Sequence, residues 1–318
     1  DGCKGKKEFV SLEQELGFER CEMSLYEAQR IINNTRIQIL NHEPIQEEES
    51  RIKQAANIIY RNNYSIPPIS DIGLPDVNME KIINIENLRN FAYCNNQICK
   101  KPIKGLVVSF FGLGGASMFA EDTKDGIRFA ENGILYVVPY QNPWAWQNMQ
   151  NVAYTDEIID VLFDEYGLLN DLPVVSVGGS MGVLSALVYM VYAKRTPVAC
   201  VANCPVCDLP YHFTERPDLP RTLYSAFYNY DCSLQEALKS ASPCDLVDRM
   251  PVNSKYYIFH CMKDTAVNKQ KHSDRFVEKM KEKHDIVYYS VPDRGHCDLT
   301  DEMTKLYNKH IESSILDR

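Results

Sequence analysis

The chain has 318 residues, 45% of them apolar and 24% charged, with a formal net charge of −9; that is enough apolar side chain for the core of one large domain, with or without an appendage. Acidic and lacking a basic run, it does not match a phosphate backbone, which argues against nucleic acid as a partner. No apolar stretch nears the roughly 20 residues of a membrane helix, so no membrane span is expected.

Residues 1 to about 65 read as helical. Ser11-Leu12-Glu13-Gln14 and Ser24-Leu25-Tyr26-Glu27 both have the capping-box spacing, in which two side chains satisfy N–H groups that a helix start leaves unpaired. After the second box, Leu25, Ala28, Ile31, Ile32, Thr35, Ile39 and Leu40 recur at helical spacing, and in Gln46 to Asn63 the residues Ile52, Ala55, Ala56 and Ile59 share a face. Ile66-Pro67-Pro68 then breaks the pattern, because proline and the residue before it resist helix. Residues 1–68 are therefore expected to form an N-terminal helical extension. Its apolar stripe must be buried against something, which makes homo-oligomerisation through these helices an expectation.

From residue 69 to 318 the character is that of an α/β domain. Val77, Met79, Ile83 and Ile85 suggest an edge strand. Short apolar runs follow, separated by helical stretches: GLVVSFF (105–111), ILYVV (134–138), VVSVG (174–178), VACVAN (198–203), YYIFHC (256–261) and IVYYSV (286–291). Apolar on both faces and alternating with helices, they describe a mostly parallel central sheet covered on both sides.

Gly178-Gly179-Ser180-Met181-Gly182 has the pattern G-x-S-x-G, preceded by a β-branched run and followed by a helix-forming one, Leu184 to Ala193. A serine on a sharp strand-to-helix turn holds a strained backbone, and the residues two before and two after it nearly touch, so glycine is required at both. Ser180 is the expected nucleophile, with helix N–H groups, that of Met181 first, facing the oxyanion it would create. Such a hydroxyl needs a base. Of the seven histidines, His296 lies in Pro292-Asp293-Arg294-Gly295-His296-Cys297, after the last strand and before the C-terminal helix, at the sheet end where sites collect. His260 sits inside a strand and reads as a satisfied core histidine; His272, His284 and His310 lie in charged helical stretches and read as solvated; His42 and His212 carry no positional argument. Asp264, after the strand KYYIFHC, is the expected acid, able to hold the imidazole Nδ1–H and fix its tautomer, with Asp208 as runner-up. The loop after GLVVSFF, Phe111-Gly112-Leu113-Gly114-Gly115, should supply the second oxyanion donor from Leu113 or Gly114. It is not a phosphate loop, since G-x-x-x-x-G-K-[ST] is absent.

These residues resemble the α/β hydrolases of the prolyl-oligopeptidase-like branch, which includes peptidases and many esterases. The resemblance spans roughly residues 100 to 318 and rests on GGSMG, Ser242-Pro243 ahead of the acid strand, Lys263-Asp264 with Val267, and Gly295-His296. It implies an α/β-hydrolase fold with Ser180, Asp264 and His296 as the triad. Three departures stand out: Phe111-Gly112 replaces the usual His-Gly of the oxyanion loop, Val183 stands where a further glycine often follows the motif, and the upstream 100 residues leave no room for a propeller domain. The last argues against size-gated peptidase activity.

Eleven cysteines are an odd number, and Cys200 and Cys261 lie in apolar runs that read as buried free thiols. Disulfide-rich secreted chains are short and loop-rich, so a reducing cytoplasm is expected. The chain opens DGCKGKK without Met, which leaves secretion after signal-peptide removal as the alternative. Cys204-Pro205-Val206-Cys207 ends a strand instead of opening a helix, and Cys94 with Cys99 is only a loose second pair; structural thiols are the expectation, with no metal and no cofactor. Residues 208–253, the longest connection between strands, form a candidate cap whose aromatics, Tyr211 and Phe227 among them, either line a substrate pocket or make the cap's own core. Trp144 and Trp146, in another sheet-end loop, are pocket-wall or packing residues. The expected activity is hydrolysis of a small-molecule carboxylic ester through an acyl-enzyme on Ser180. The alternatives are a small-peptide hydrolase and a non-catalytic binding protein on the same fold.

Overall fold

The structure is a computed structural model that describes residues 23–64 and 82–318. The chain divides into two compact units, Asp1–Lys81 and Ile82–Arg318. The capping box at Ser11 and the strand residues Val77 and Met79 lie outside the described residues.

In the first unit, helix α1 (Leu25–Leu40) starts where the Ser24 hydroxyl accepts the Glu27 N–H at 3.2 Å, satisfying a donor the first turn leaves free. Helix α2 spans Glu49–Tyr64. The pair buries Ala28, Ile31 and Ala55, with Ile32, Ile52, Ile58 and Ile59 partly covered, and Arg51 reaches Glu27 at 2.6 Å. Two stripe positions differ from expectation. Ile39 is 56% exposed, in the last turn of α1 beyond the buried stretch, and Ala56 is exposed, turned about 100° round the helix from Ala55.

The second unit is built on a seven-stranded sheet in the order β1-β3-β2-β4-β5-β6-β7. Its strands are β1 (Ala92–Cys94), β2 (Gly105–Phe110), β3 (Ile134–Pro139), β4 (Val174–Gly179), β5 (Ala199–Asn203), β6 (Lys255–Cys261) and β7 (Asp285–Val291). Only β1 runs antiparallel, against β3; the other neighbours are parallel. The edge strand is thus β1, while Ile83 and Ile85 form no strand; Ile83 is buried and its N–H donates to Glu157 at 3.2 Å. A strand of three residues is too short to show an alternation in sequence.

Side-chain alternation feeds two cores. Leu106, Val108, Leu135 and Val137 point into one, covered by helices α4 (Met149–Tyr166) and α5 (Met181–Tyr192); Val107, Ile134, Val175 and Val201 point into the other, covered by Phe129 of α3 (Lys124–Glu131) and by Ile311 and Ile315 of the C-terminal helix, Asp301–Leu316. Full burial of each such side chain contributes about 1.5–3 kcal/mol before entropy. Between β5 and β6 come α6 (Leu209–Glu215), α7 (Leu219–Phe227) and α8 (Leu234–Ser240). Their Leu209, Leu219, Leu223, Phe227 and Leu238 join the first core, so this insertion is anchored on the sheet's own packing.

Candidate active site

At the carboxyl end of β4 the chain turns sharply into α5 through Ser180, whose φ of 59° and ψ of −124° place a non-glycine residue where side chains are strained. The glycines around it make that turn sterically feasible. A Cβ on Gly178 would stand 2.5 Å from the backbone carbon of Gly182, and one on Gly182 would stand 2.2 Å from the Phe110 carbonyl oxygen. The Ser180 N–H donates to Asn203 O at 3.0 Å, locking the turn to the end of β5. Among the described residues, the Ser180 hydroxyl makes no hydrogen bond.

The glycine loop after β2 abuts this turn: a Cβ on Gly112 would be 4.0 Å from Ser180 Cβ. Here one expectation is corrected. The Gly114 N–H donates to Pro143 O at 3.0 Å, because its φ of 79° turns it toward the loop after β3, so it is not free for an oxyanion. Leu113 and Met181 remain the candidate donors.

Asp264 lies in the turn after β6, with a fully buried side chain. One oxygen accepts the N–H groups of Ala266 at 2.8 Å and Val267 at 3.0 Å; the other accepts His296 Nδ1–H at 2.6 Å and has His260 Nε2 at 3.3 Å. Burial pushes the carboxyl up, but the neighbouring His260 and the bonds from His296 and Val267 outweigh it and hold Asp264 well below the usual carboxylate range. His296 shows the converse balance. Burial pulls it down, yet its contacts with Asp264 and Cys204 raise the imidazole to about 9.

The His296 loop and the Ser180 turn are joined through β5. Asn203, which accepts the Ser180 N–H, donates its side-chain N–H to Cys297 O at 3.1 Å. Cys297 Sγ would lie 3.3 Å from a Cβ on Gly179, and 3.7 Å from His296 Nε2. Sequence reading missed Cys204 and Cys297 as neighbours of the His296 imidazole, and His260 as a neighbour of the Asp264 carboxylate. No spacing rule reveals them, since they meet only when the ends of β5, β6 and β7 come together; the cysteine directly after His296 was the one visible hint.

Asp208, the runner-up acid, is engaged elsewhere: it caps α6 by accepting Tyr211 N–H at 2.9 Å and pairs with Arg275. Three histidines read as solvated are not. His272 is buried, its Nδ1 accepting the N–H groups of Cys207 and Asp208 and its Nε2 lying 2.9 Å from Glu215. His284 is buried, and His310 stacks on Tyr257 at 3.9 Å. Charged neighbours in sequence concealed that each lies on the inward side of its segment. His212 is buried against Glu215 at 2.6 Å.

The aromatic candidates separate. Trp146 is 0% exposed and donates its indole N–H to Thr222 at 3.1 Å, and Phe227 is buried, so both are packing residues. Trp144 lines an open cavity of about 420 Å³ with Gln141, Asn151 and Ser225. Tyr211 is half-buried, edge-on to His272 at 5.5 Å. The described cysteines, Cys204 and Cys207 included, are free thiols.

No protein-family model and no curated protein matches the chain. Solved structures do. A puromycin hydrolase superposes with TM-score 0.56 at 17% identity, over 67% of this chain and 34% of its own. An acylaminoacyl peptidase of Pyrococcus horikoshii gives 0.54 at 10% identity, over 67% and 37%. A thermophilic esterase of the Planctomycetes species Thermogutta terrifontis gives 0.53 at 17% identity, over 71% and 87%. The chain thus spans about a third of the length of the puromycin hydrolase it matches. At such identities these likenesses establish the fold.

Proposed function

From the α/β-hydrolase fold that this chain has, we propose that it is a serine hydrolase cleaving carboxylic esters through an acyl-enzyme on Ser180. The observation that carries this reading is the left-handed serine between two obligatory glycines, tied through Asn203 to a loop whose imidazole is already bonded to a buried carboxylate. Ser180 Oγ attacks the ester carbonyl carbon while neutral His296 Nε2 takes its proton. The Met181 and Leu113 N–H groups stabilise the oxyanion, and Asp264 holds the imidazolium that forms. His296 then protonates the leaving alkoxide, and a water activated by the same nitrogen releases the acid. The Ser180 hydroxyl, unbonded here, has to close on His296 as substrate binds, a tightening common between free and substrate-bound sites.

The ester preference is supported by the esterase neighbour, matched over 87% of its length. Small-peptide hydrolysis is the second reading, supported by the puromycin hydrolase and acylaminoacyl peptidase neighbours. The test is covalent labelling with a fluorophosphonate. Mass spectrometry is expected to place one adduct on Ser180; no adduct on folded protein would leave a non-catalytic binding role. Paired ester and aminoacyl-amide substrates then decide between the two activities.

We further propose that the N-terminal helices mediate assembly, a reading supported by Tyr26, Ile37 and Ile39 standing exposed on α1. Size-exclusion of a chain truncated at residue 81 is expected to show a smaller assembly or aggregation. A cytoplasmic location is proposed on the free state of the described thiols. No described helix is long and apolar enough to cross a membrane.

A further inference from the structure

Two thiols converge on the nitrogen that the proposed reaction needs. Cys204 Sγ, Cys297 Sγ and a nitrogen of His296 all lie within 4.8 Å of one another, and Cys297 Sγ stands 3.7 Å from His296 Nε2. In a tetrahedral zinc site with Zn–S about 2.3 Å and Zn–N about 2.0–2.1 Å, neighbouring ligand atoms stand roughly 3.6–3.8 Å apart. The surroundings are also those of a metal site. The other His296 nitrogen donates to buried Asp264 at 2.6 Å, the carboxylate–histidine pairing that orients a metal-bound imidazole. Cys204 Sγ accepts two backbone N–H groups, from Cys261 at 3.4 Å and Cys297 at 3.3 Å, which suits a sulfur that becomes a thiolate. Cys297 also lines an open cavity of about 420 Å³ with Asn203, Gly179 and Tyr307.

Among the described residues, the two other clusters of possible ligands are occupied by their own bonds. In His212–Glu215–His272, one Glu215 oxygen sits 2.6 Å from His212 and 2.9 Å from His272, while the second His272 nitrogen takes two backbone N–H groups. In Cys204–His260–Asp264, the carboxylate already takes the N–H groups of Ala266, Val267 and His296.

The geometry points to a site for a thiophilic divalent cation, zinc being the natural occupant, held by Cys204 Sγ, Cys297 Sγ and His296 Nε2. Binding releases one proton from each thiol as its sulfur–metal bond forms, and the ion takes the imidazole lone pair. A fourth position is left for water or a substrate oxygen. Because that lone pair is the one proposed to receive the Ser180 proton, metal binding and ester hydrolysis exclude each other. This consequence rests on the serine-hydrolase reading; the site itself does not.

The test titrates metal-free full-length protein with cadmium and follows the ultraviolet thiolate-to-cadmium band. It uses wild type, Cys297→Ser, Cys204→Ala and, as a control at an exposed thiol, Cys232→Ser. One equivalent is expected to bind wild type and the control, with affinity about 100-fold weaker in either site variant. Absence of the band, or a band unchanged in both site variants, overturns the site. In parallel, zinc is expected to slow fluorophosphonate labelling of wild type at least about tenfold, reversibly with EDTA, and to leave each site variant near its own zinc-free rate. Binding with undiminished labelling overturns the exclusion. Protein that never labels, even without zinc, instead refutes the hydrolase reading while the cadmium band still reports on the site.

Discussion

The two halves of the candidate site are made in different ways. The nucleophile half is a backbone device: five consecutive residues, Gly178 to Gly182, in which two missing side chains allow one strained serine. The acid-base half is a side-chain device, drawing Asn203 and Cys204 from the end of β5, His260 and Asp264 from β6 and its turn, and His296 and Cys297 from beyond β7. A backbone device breaks through sterics, a side-chain device through hydrogen bonds and charge, and the two should fail differently.

The largest effect is expected at the nucleophile. Ser180→Ala should lower ester kcat by roughly 10⁴-fold or more while leaving the fold intact; retained turnover would mean another nucleophile. On the other half, Asp264→Asn should reduce kcat by about 10³–10⁴-fold, since the wrong imidazole tautomer then faces the serine. An unaffected Asp264→Asn would separate the observed 2.6 Å bond from catalysis.

Stability separates positions inside the backbone half. Gly182→Ala must fit a Cβ 2.2 Å from a carbonyl oxygen, whereas at Gly179 the nearest contact is the Cys297 sulfur at 3.3 Å. Gly182→Ala is therefore expected to cost about 3 kcal/mol and Gly179→Ala much less, read from denaturant midpoints. Equal losses would show that the turn is not held by close backbone approach.

Charge acts only in the other half. With His296 raised to about 9, the base is mostly protonated at neutral pH, and only its neutral form can take the serine proton. Labelling should therefore climb with pH through a midpoint near 9 and level off above it. His260→Gln, which removes a 3.3 Å neighbour of the Asp264 carboxylate, is expected to lower labelling about tenfold and to move that midpoint. A flat pH profile would break the assignment of His296 as base.

How much could be read beforehand follows from the same contrast. The parallel strands, the glycine pattern around Ser180 and the loops carrying Asp264 and His296 all have causes confined to short stretches of chain: β-branched runs, steric need for glycine, the end of a strand. Ser24 capping α1 is of this kind too. Expectations failed where the cause was distant: the Gly114 N–H is taken by Pro143 from the loop after β3, and His272 turns inward onto the backbone of Cys207 and Asp208. Trp146, left open between pocket wall and packing, is decided by Thr222 in α7.

The sequence by itself determined the six strands β2 to β7, the order of Ser180, Asp264 and His296 at their ends, and the glycines without which the turn at Ser180 cannot form, because each depends on a residue and its immediate neighbours. Tertiary structure alone decided which polar atoms stay free and which side chains meet. Adjacent parallel strands bring residues far apart in sequence within a few ångströms, so Cys204 and Cys297, 93 residues apart, come to flank one imidazole. No local rule encodes that convergence; it depends on which strand ends lie side by side.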